Sequence, residues 1–360
     1  MIVATKKGSA MKTTVMLTGD VNLMGVEDNS VPFRSVGQTF LNADAVFCNL
    51  ECCLYEPPVP RTMMPDEVSG YEGFYAPPGT GQALVEGGFH CVGNANNQNY
   101  GPEQITASNG HLDALGMPHV GTGRTSGEAR AAVVVERNGK RIGFLQRTSQ
   151  YWPNNHEALE ARAGVAVIKA YTAYQPVYYK DGTLPPNRPG TPPKILTWCD
   201  PGYLEKFKQD IASLRTKSDV VVSSHHMGHR GDISDFQVEI AHAAIDSGAD
   251  VVMAHAEHYP LAIEIYKGKP VFYGLGSFCF IKSNKRYLKG WVGLLARVTI
   301  EDGRVARMGF SFVRQNDNTE VVIRQPELEL DTLSDLRRMS KRFNTIFTPD
   351  GDEVIISTGS

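Results

Sequence analysis

Short apolar runs alternate with helical patterns over most of the chain. Residues 14–18, 45–48 and 219–222 are runs of this kind, which are typical of buried strands. Between residues 204 and 214, in contrast, apolar side chains recur at the spacing of one helix face. Strand patterns dominate after residue 260. The pattern predicts an α/β protein, and its β-rich second half favours two mixed sheets packed face to face with helices outside.

Turn residues predict two hairpins, and the extent of the alternating pattern predicts the bounds of the domain. Asn138-Gly139 and Asp302-Gly303 each lie between two strand-like runs, which predicts two tight β-hairpins. We expect a flexible leader over residues 1–12, a single domain over residues 13–345, and a C-terminal tail over residues 346–360.

Residues 150–202 differ from the rest of the chain. They carry two tryptophans, several tyrosines and two Pro-Pro pairs. A connection this long without a regular pattern is usually functional or disordered, and the aromatic content argues against disorder. We interpret this segment as a lid or substrate-pocket insertion, in which Trp152 would contact substrate. The alternative is a surface elaboration of the domain.

The charges nearly balance, since 36 Lys and Arg against 39 Asp and Glu give a net charge of −3. No block of like charge stands out, which argues against nucleic acid or a membrane surface as a partner. Six cysteines without a C-x-x-C spacing are typical of reduced core residues. No apolar stretch approaches the ~20 residues of a membrane span, and the N-terminus lacks the pattern of a signal peptide. We therefore expect a cytoplasmic protein that acts on a small molecule, as a monomer or a homo-oligomer.

Two histidine clusters each follow a predicted strand. Residues 223–229 contain three histidines and residues 254–258 contain two, and each cluster comes directly after a run of β-branched residues. Because open α/β sheets bind ligands at the carboxyl ends of their strands, these imidazoles would meet at one edge. Imidazole is both a common metal ligand and the commonest acid or base near neutral pH. The two clusters indicate an enzyme.

Oxygen donors follow other predicted strands. Asp20, Glu51 and the Asn-rich segment 94–99 come after three earlier strands. A mixed oxygen and nitrogen set without thiolates suits Mn²⁺, Fe²⁺ or catalytic Zn²⁺. Since the candidates exceed four, the pattern predicts two divalent metal ions that share a bridging carboxylate, with water as the nucleophile.

The ordered set resembles the poly-γ-glutamate capsule synthesis (CapA) family, a branch of the calcineurin-like metallophosphatase superfamily. The resemblance runs from about residue 15 to residue 280. It rests on Gly19-Asp20, Asn49-Leu-Glu51, Ala95-Asn-Asn97, Glu128-Ala129, His226-Met-Gly228, Asp246-Ser-Gly-Ala-Asp250, His255-Ala-Glu-His258 and residues 263–280. It implies a four-layered α/β/β/α sandwich with a dinuclear metal centre at the sheet edge.

The resemblance also implies metal-binding roles, position by position. The implied ligands are Asp20 and His258 for one ion, Asn97, His226 and His255 for the other, and Glu51 as the bridge between both. His225 falls one residue before the usual family ligand, so it is expected beside the ligands or in the core.

One departure from the family pattern changes the predicted chemistry. Gln98 stands where the family has a histidine, which in phosphatases of the superfamily is implied to protonate the leaving group. Glutamine cannot do so, because its amide does not titrate in the useful range. We therefore favour a metal-dependent hydrolase that uses metal-activated water on an amide, lactam or ester bond of a small anionic substrate.

Candidate residues for this chemistry fall into two sets. The candidates for catalysis are His226, His258, Glu257 and His229. The candidates for substrate binding, which include Arg side chains as carboxylate clamps, are Asn49, Gln98, Arg147, Arg124 and Trp152.

Two alternatives remain open at this stage. A histidine on the same fold could abstract a proton next to a carbonyl, which would make the protein an isomerase or epimerase. The family name also allows a non-catalytic accessory protein of capsule or poly-γ-glutamate synthesis. Against that role, several buried polar ligand candidates without a partner would be costly.

Overall fold

The structure, a computed structural model, describes residues 12–57, 74–153, 156–176, 190, 192–228, 231–281 and 290–359. Within these ranges the strands, numbered in chain order, are β1 (Lys12–Asn22), β2 (Ala45–Leu50), β3 (Cys53–Leu54), β4 (Tyr75–Ala76), β5 (Cys91–Gly93), β6 (His119–Val120), β7 (Thr122–Gly123), β8 (Val133–Arg137), β9 (Lys140–Thr148), β10 (Gly164–Val165), β11 (Ala170–Gln175), β12 (Lys194–Cys199), β13 (Val220–His226), β14 (Val251–His255), β15 (Ile263–Tyr266), β16 (Lys269–Phe272), β17 (Ser277–Phe280), β18 (Gly293–Glu301), β19 (Arg304–Gln315), β20 (Val321–Arg324), β21 (Thr345–Asp350) and β22 (Glu353–Thr358). The α-helices in the same ranges are α1 (Arg34–Phe40), α2 (Gln82–Glu86), α3 (Pro102–Ala114), α4 (Ser126–Arg130), α5 (Pro201–Arg215), α6 (Asp235–Asp246) and α7 (Leu330–Ser340).

Two large sheets dominate the described part of the chain. One has ten strands in the order β21-β22-β19-β18-β1-β2-β5-β6, with β17 beside β1 and β20 beside β19. The other has six strands in the order β15-β16-β14-β13-β9-β8. Both sheets are mixed. In the ten-stranded sheet, β1 runs parallel to β2 and antiparallel to β18. In the six-stranded sheet, β13 runs parallel to β9 and to β14, whereas β8 runs antiparallel to β9.

The main core lies between the two sheets. Val15 and Phe47 of the ten-stranded sheet share one buried cluster with Phe144 and Val222 of the six-stranded sheet. The rings of Phe47 and Phe144 stack across the interface, with centroids 5.1 Å apart. The two sheets therefore pack face to face.

Helices cover both outer faces. On the ten-stranded sheet, Met16 and Val46 pack in a second buried cluster with side chains of α1, α2 and α3. On the six-stranded sheet, Val221 and Val252 pack in a third cluster with α5 and α6. The predicted four-layered α/β/β/α sandwich is confirmed.

Both predicted tight hairpins are present. Asn138 and Gly139 have φ of 52° and 71°, and Asp302 and Gly303 have φ of 49° and 75°. Two successive positive φ angles are the signature of the two-residue hairpin turn that matches strand twist. These turns join β8 to β9 and β18 to β19.

The expected C-terminal tail is wrong. Residues after 345 form β21 and β22, and β22 pairs with β19 inside the ten-stranded sheet. Phe347, Val354 and Ile356 are buried in the core between the sheets. This hairpin is therefore part of the domain, because its apolar face covers one end of the main core.

The segment over residues 150–202 is partly described. β10 pairs with β7, and β11 and β12 form a separate two-stranded ribbon with several exposed apolar side chains. Residues 1–11 of the expected leader lie outside the described residues. Among the helices of the described residues, none has both the length and the apolar character needed to cross a membrane.

Candidate metal centre

The core between the sheets becomes polar at the carboxyl ends of the strands. On the six-stranded sheet, Phe144, Val222 and Met253 face the other sheet. Because side chains alternate along a strand, the residues two positions further on, Gln146, Ser224 and His255, have the same orientation, and all three are buried. The candidate site is therefore the polar end of a hydrophobic layer.

A β-bulge directs Asp20 into this layer. Leu17 pairs with Phe47, but the next pair is Asp20 with Asn49, so β1 has one residue more than β2 in this interval. A bulge changes the direction of the side chain that follows it, and here it places Asp20 on the inner face. At Gly19 a Cβ atom would overlap the carbonyl oxygen of Gly276. That same oxygen accepts a hydrogen bond from the Asp20 N–H at 3.0 Å.

Asp20, Glu51 and His258 form one group of ligand atoms. His258 Nδ1 lies 3.1 Å from Asp20 Oδ2, and His258 Nε2 lies 3.7 Å from Glu51 Oε1. His258 reaches this position through a turn in which Ala256 has φ 123° and His258 itself φ 54°. Residues other than glycine rarely adopt such positive φ angles. Backbone strain of this kind is found where the surrounding structure holds a functional residue in place.

Asp20, His226 and His255 form a second group. His255 Nδ1 lies 3.4 Å from Asp20 Oδ1 and 2.9 Å from His226 Nδ1. His226 Nε2 lies 2.8 Å from Asn97 Oδ1. In each of the two groups the three ligand atoms lie within 4.8 Å of one another.

The protonation states of these side chains suit a cation. Burial raises the pKa of Asp20, but its hydrogen bond to His258 and the charges of His258 and His255 outweigh that effect and lower the pKa to about 2. Burial lowers the pKa of His255 to about 4, and it lowers that of His226 well below its usual value. The site therefore combines an ionised carboxylate with neutral imidazoles, the forms that bind metal ions.

Asp20 belongs to both groups, and within the described residues Glu51 belongs to one. The bridging role that the family resemblance implied for Glu51 stays a prediction. The bulge places the two Asp20 oxygens between His258 and His255. Carboxylate oxygen and imidazole nitrogen are ligands that Mn²⁺, Fe²⁺ and Zn²⁺ share, so the donor set fits divalent ions.

Buried amides surround the ligands. Asn49 Nδ2 donates to Asp20 Oδ1 at 2.8 Å, while its own Oδ1 accepts from Gln146 and Asn96. Gln146 Nε2 also lies 3.1 Å from His255 Nε2. Asn49 is fully buried and its side chain orients Asp20, while its contact with substrate stays a prediction. The sequence reasoning missed Gln146, although a glutamine that ends an apolar strand run is a signal of the same kind as the strand-end histidines.

The family follows from the sequence comparison. Residues 10–282 match the family model described as bacterial capsule synthesis protein PGA_cap, which is more than half of the chain. The chain belongs to the PGA_cap family.

Three relatives of this PGA_cap protein show the range of similarity. Uncharacterized protein y4sH of Sinorhizobium fredii is 26% identical over 309 residues, covering 74% of this chain and 66% of that protein. PGA biosynthesis protein CapA of Bacillus subtilis is 36% identical over 96 residues, covering 26% of this chain and 23% of that protein. A probable polyglutamine synthesis accessory protein of Mycobacterium tuberculosis is 26% identical over 198 residues, covering 52% of this chain and 44% of that protein. The chain spans 66% or less of the length of each of these relatives.

A solved phosphatase structure from Mycoplasma pneumoniae aligns with 90% of this PGA_cap chain and 99% of that chain. The TM-score is 0.49 and the sequence identity is 11%. This similarity is too low to support a conclusion about fold or activity.

The Asn-rich loop connects the site of this PGA_cap protein to the segment over residues 150–202. Trp152 Nε1 donates to the carbonyl oxygen of Asn97 at 2.9 Å, and the Trp152 N–H donates to His156 Nδ1 at 3.0 Å. The opposite nitrogen of the buried His156 ring donates to the carbonyl oxygen of Asn99 at 2.8 Å. Gln98 is buried in the same loop. The start of the segment therefore holds the loop that carries Asn97.

A cavity of about 380 Å³ adjoins His258. Its wall includes Glu257, one of the predicted catalytic residues, and Arg338 of α7. Asp335 accepts hydrogen bonds from Arg338 Nη2 at 3.0 Å and from the Tyr259 hydroxyl at 2.9 Å. Arg338 thus lines the same cavity as His258, and the sequence reasoning missed it.

The structure contradicts a substrate-binding role for Arg147. This side chain is almost fully buried on the outer face of the six-stranded sheet, where it donates to Asp210 of α5 at 2.6 Å. His225 lies on the same outer face, with its ring 5.3 Å from that of Phe207. Arg124 is exposed and pairs with Glu128, so its role in substrate binding stays a prediction. His229 lies outside the described residues.

Proposed function

We propose that this PGA_cap protein is a metal-dependent hydrolase that cleaves an amide, lactam or ester bond in a small anionic substrate. The observation that supports this proposal best is the sharing of Asp20 between two carboxylate–imidazole groups at the edge of a cavity. A site of this kind can hold two divalent ions, with Mn²⁺, Fe²⁺ and Zn²⁺ as the candidates.

The residues divide between two cation positions. Asp20, Glu51 and His258 would hold one ion, and Asp20, His226 and His255 would hold the other, with Asn97 beside His226. Bound ions would polarise a substrate carbonyl and activate water at neutral pH. Asn49 keeps the shared Asp20 carboxylate in place through its hydrogen bond to Oδ1.

The cavity beside His258 supplies the other parts of the proposed reaction. A guanidinium has five N–H donors, so the bond from Arg338 to Asp335 leaves donors that can face a carboxylate in the cavity. Glu257 lies on the same wall, where a carboxyl group can transfer a proton to a leaving amine or alkoxide. In this proposal Arg338 would bind the substrate carboxylate, and Glu257 would perform the role that Gln98 cannot.

Metal content tests the proposal directly. We expect wild-type protein, purified without chelator or a metal-affinity column, to contain about two divalent ions per chain because two positions are available. Asp20→Asn should lose both ions, since Asp20 belongs to both groups, whereas His255→Ala should lose one. The measurement is elemental analysis of dialysed protein, followed by assays of amides, lactams and esters with and without added metal.

Asp246→Asn is the matched control, because Asp246 pairs with Lys267 on the surface. It should keep the metal content and the activity of wild type. A folded wild type without metal would refute the proposal, and so would an Asp20→Asn variant that retains both ions. Metal-independent exchange of a substrate α-proton would point to proton transfer instead.

The family favours a second candidate function. One relative carries the name of a synthesis accessory protein, and another that of a PGA biosynthesis protein. Under this alternative the chain would bind a glutamate polymer without cleaving it. Metal binding with no turnover of any amide, lactam or ester, together with tight binding of glutamate oligomers, would favour the accessory role.

A further inference from the structure

Gln146 connects the two halves of the candidate metal centre. It lies on β9 of the six-stranded sheet and is fully buried. Its Nε2 contacts Asn49 of the ten-stranded sheet at 2.8 Å and His255 of its own sheet at 3.1 Å. One carboxamide therefore contacts both the residue that orients Asp20 and a candidate ligand.

The orientation of this carboxamide is fixed from both ends. At one end the Ala95 N–H, which can only donate, lies 2.8 Å from Gln146 Oε1. At the other end the Asp20 carboxylate, which can only accept, requires the Nδ2 group of Asn49. Asn49 therefore presents its oxygen to Gln146, so Gln146 Nε2 must donate on this side.

This orientation determines where His255 carries its proton. The two N–H bonds of Gln146 Nε2 are directed at Asn49 Oδ1 and at His255 Nε2. A neutral imidazole has one N–H and one acceptor nitrogen, so His255 Nε2 accepts and the proton lies on Nδ1. Ser224 Oγ is 3.0 Å from the same Nε2, but a hydroxyl can donate or accept and imposes neither form.

The hydrogen bonds continue through the second histidine. With the proton on His255 Nδ1, this atom donates to His226 Nδ1 at 2.9 Å. His226 Nε2 then donates to Asn97 Oδ1 at 2.8 Å. Each donor in this series has an acceptor. An ion at this position has to displace the proton of His255 Nδ1, the atom that faces Asp20 and His226.

We propose that Gln146 is a positioning residue that makes the two cation positions unequal. By holding the His255 proton on Nδ1, it weakens the position at Asp20, His226 and His255 relative to the position at Asp20, Glu51 and His258. Metal-binding histidines usually donate their other N–H to a carboxylate or carbonyl, and here an amide donor stands in that place. The proposal rests on the metal-binding part of the proposed function.

Charge acts in the same direction. The position at Glu51 has two carboxylates and one imidazole, while the position at His226 has the shared carboxylate and two imidazoles. A divalent cation is therefore attracted more strongly to the first position. The contribution of Gln146 can be separated from this charge effect by substitution.

The test is calorimetric titration of metal-free protein with Mn²⁺ alone. Wild type should show two binding events with unequal affinities. Gln146→Glu places an acceptor next to His255 Nε2 and should tighten the weaker event by about 10–100-fold, the usual size of effects from such partners. Gln146→Met, which removes the donor without adding charge, should also tighten that event, because Ser224 can then accept from Nε2. In this variant Asn49 still accepts from Asn96 at 3.1 Å.

Asn109→Asp is the control for charge, because Asn109 lies on α3 outside the candidate ligand segment and its Oδ1 accepts from Asn94 and Thr122, bonds that a carboxylate can keep. It should leave the ratio of the two affinities close to that of wild type. Two equal affinities in wild type, or a weaker second event in both Gln146 variants, would overturn the inference while leaving the metal-dependent function standing. The absence of Mn²⁺ binding in folded wild type would overturn both.

Discussion

At the scale of single residues, side chains that are adjacent in sequence lie on opposite faces of the six-stranded sheet. Gln146 faces the candidate ligands, and Arg147 faces α5 and bonds to Asp210. The sequence alone indicates that both end a strand, but which of the two faces the site depends on the pairing of sheets. Candidate ligands such as Asp20 and His255 could be proposed from the sequence, because a carboxylate or imidazole directly after a strand pattern is a signal that does not depend on how the sheets pair.

The Arg147–Asp210 pair leads to a prediction about stability. Removing Asp210 leaves a buried guanidinium without its carboxylate, and breaking a buried pair in this way costs about 3–5 kcal/mol. We expect Asp210→Ala to lower the free energy of unfolding by this amount, as measured by urea denaturation. Its metal content should stay that of wild type.

Glu205→Ala on the same helix is the control, because Glu205 is exposed and pairs loosely with Lys208. Its effect on the free energy of unfolding should stay within about 1 kcal/mol. Equal effects of the two substitutions would contradict the assignment of Arg147 to the helix interface.

At the scale of elements, strands with continuous apolar runs could be predicted, and the last hairpin could not. β21 contains Pro349, which lacks a backbone N–H and is unusual in strands. The structure tolerates this proline because β21 is the edge strand of the ten-stranded sheet. The edge position depends on contacts with β22, and these are not visible in the local pattern.

The contact between the Asn-rich loop and residues 150–202 predicts a dependence on pH. Burial lowers the pKa of His156 to about 4, whereas a histidine in an unfolded chain titrates near 6.5. The folded state thus favours the neutral ring. The contribution of this preference to the free energy of unfolding is fully present above pH 6.5, and it is lost as the pH falls from 6.5 to 4.

Comparison with His156→Gln measures this effect, because glutamine can donate to Asn99 but does not titrate. Between pH 7 and pH 4, wild type should lose up to about 3 kcal/mol more unfolding free energy than the variant. Urea denaturation of metal-free protein at several pH values provides the measurement. Parallel pH profiles would show that the ring is not held in the neutral form.

At the scale of the whole molecule, one core connects the candidate ligands to the C-terminal hairpin. The cluster that contains Val222 and Met253 near the site also contains Phe310 and Phe347. Phe347 packs against Phe310 with ring centroids 5.9 Å apart. The hairpin therefore contributes to the stability of the whole sandwich.

Two isoleucines in this hairpin give a matched test. Ile356 is buried in the shared core, and Ile346 is 46% exposed. Ile356→Ala should reduce the free energy of unfolding by about 2–5 kcal/mol. Ile346→Ala should change it by less than about 1 kcal/mol. Similar midpoints of thermal unfolding for both variants would argue against a hairpin that closes the core.

Because β1 approaches Gly276 closely, folding should restrict the residue at position 19, whereas metal binding should restrict the residue at position 20. Since a Cβ at position 19 would overlap a carbonyl oxygen, a library of all substitutions selected only for soluble, folded protein should retain glycine there. Position 20 in the same library should accept asparagine and other polar residues, because the bulge and not the carboxylate fixes the backbone. Selection for bound metal would then restrict position 20 as well. The residue at position 19 is thus fixed by the backbone geometry of the site, and the residue at position 20 by its metal-binding chemistry.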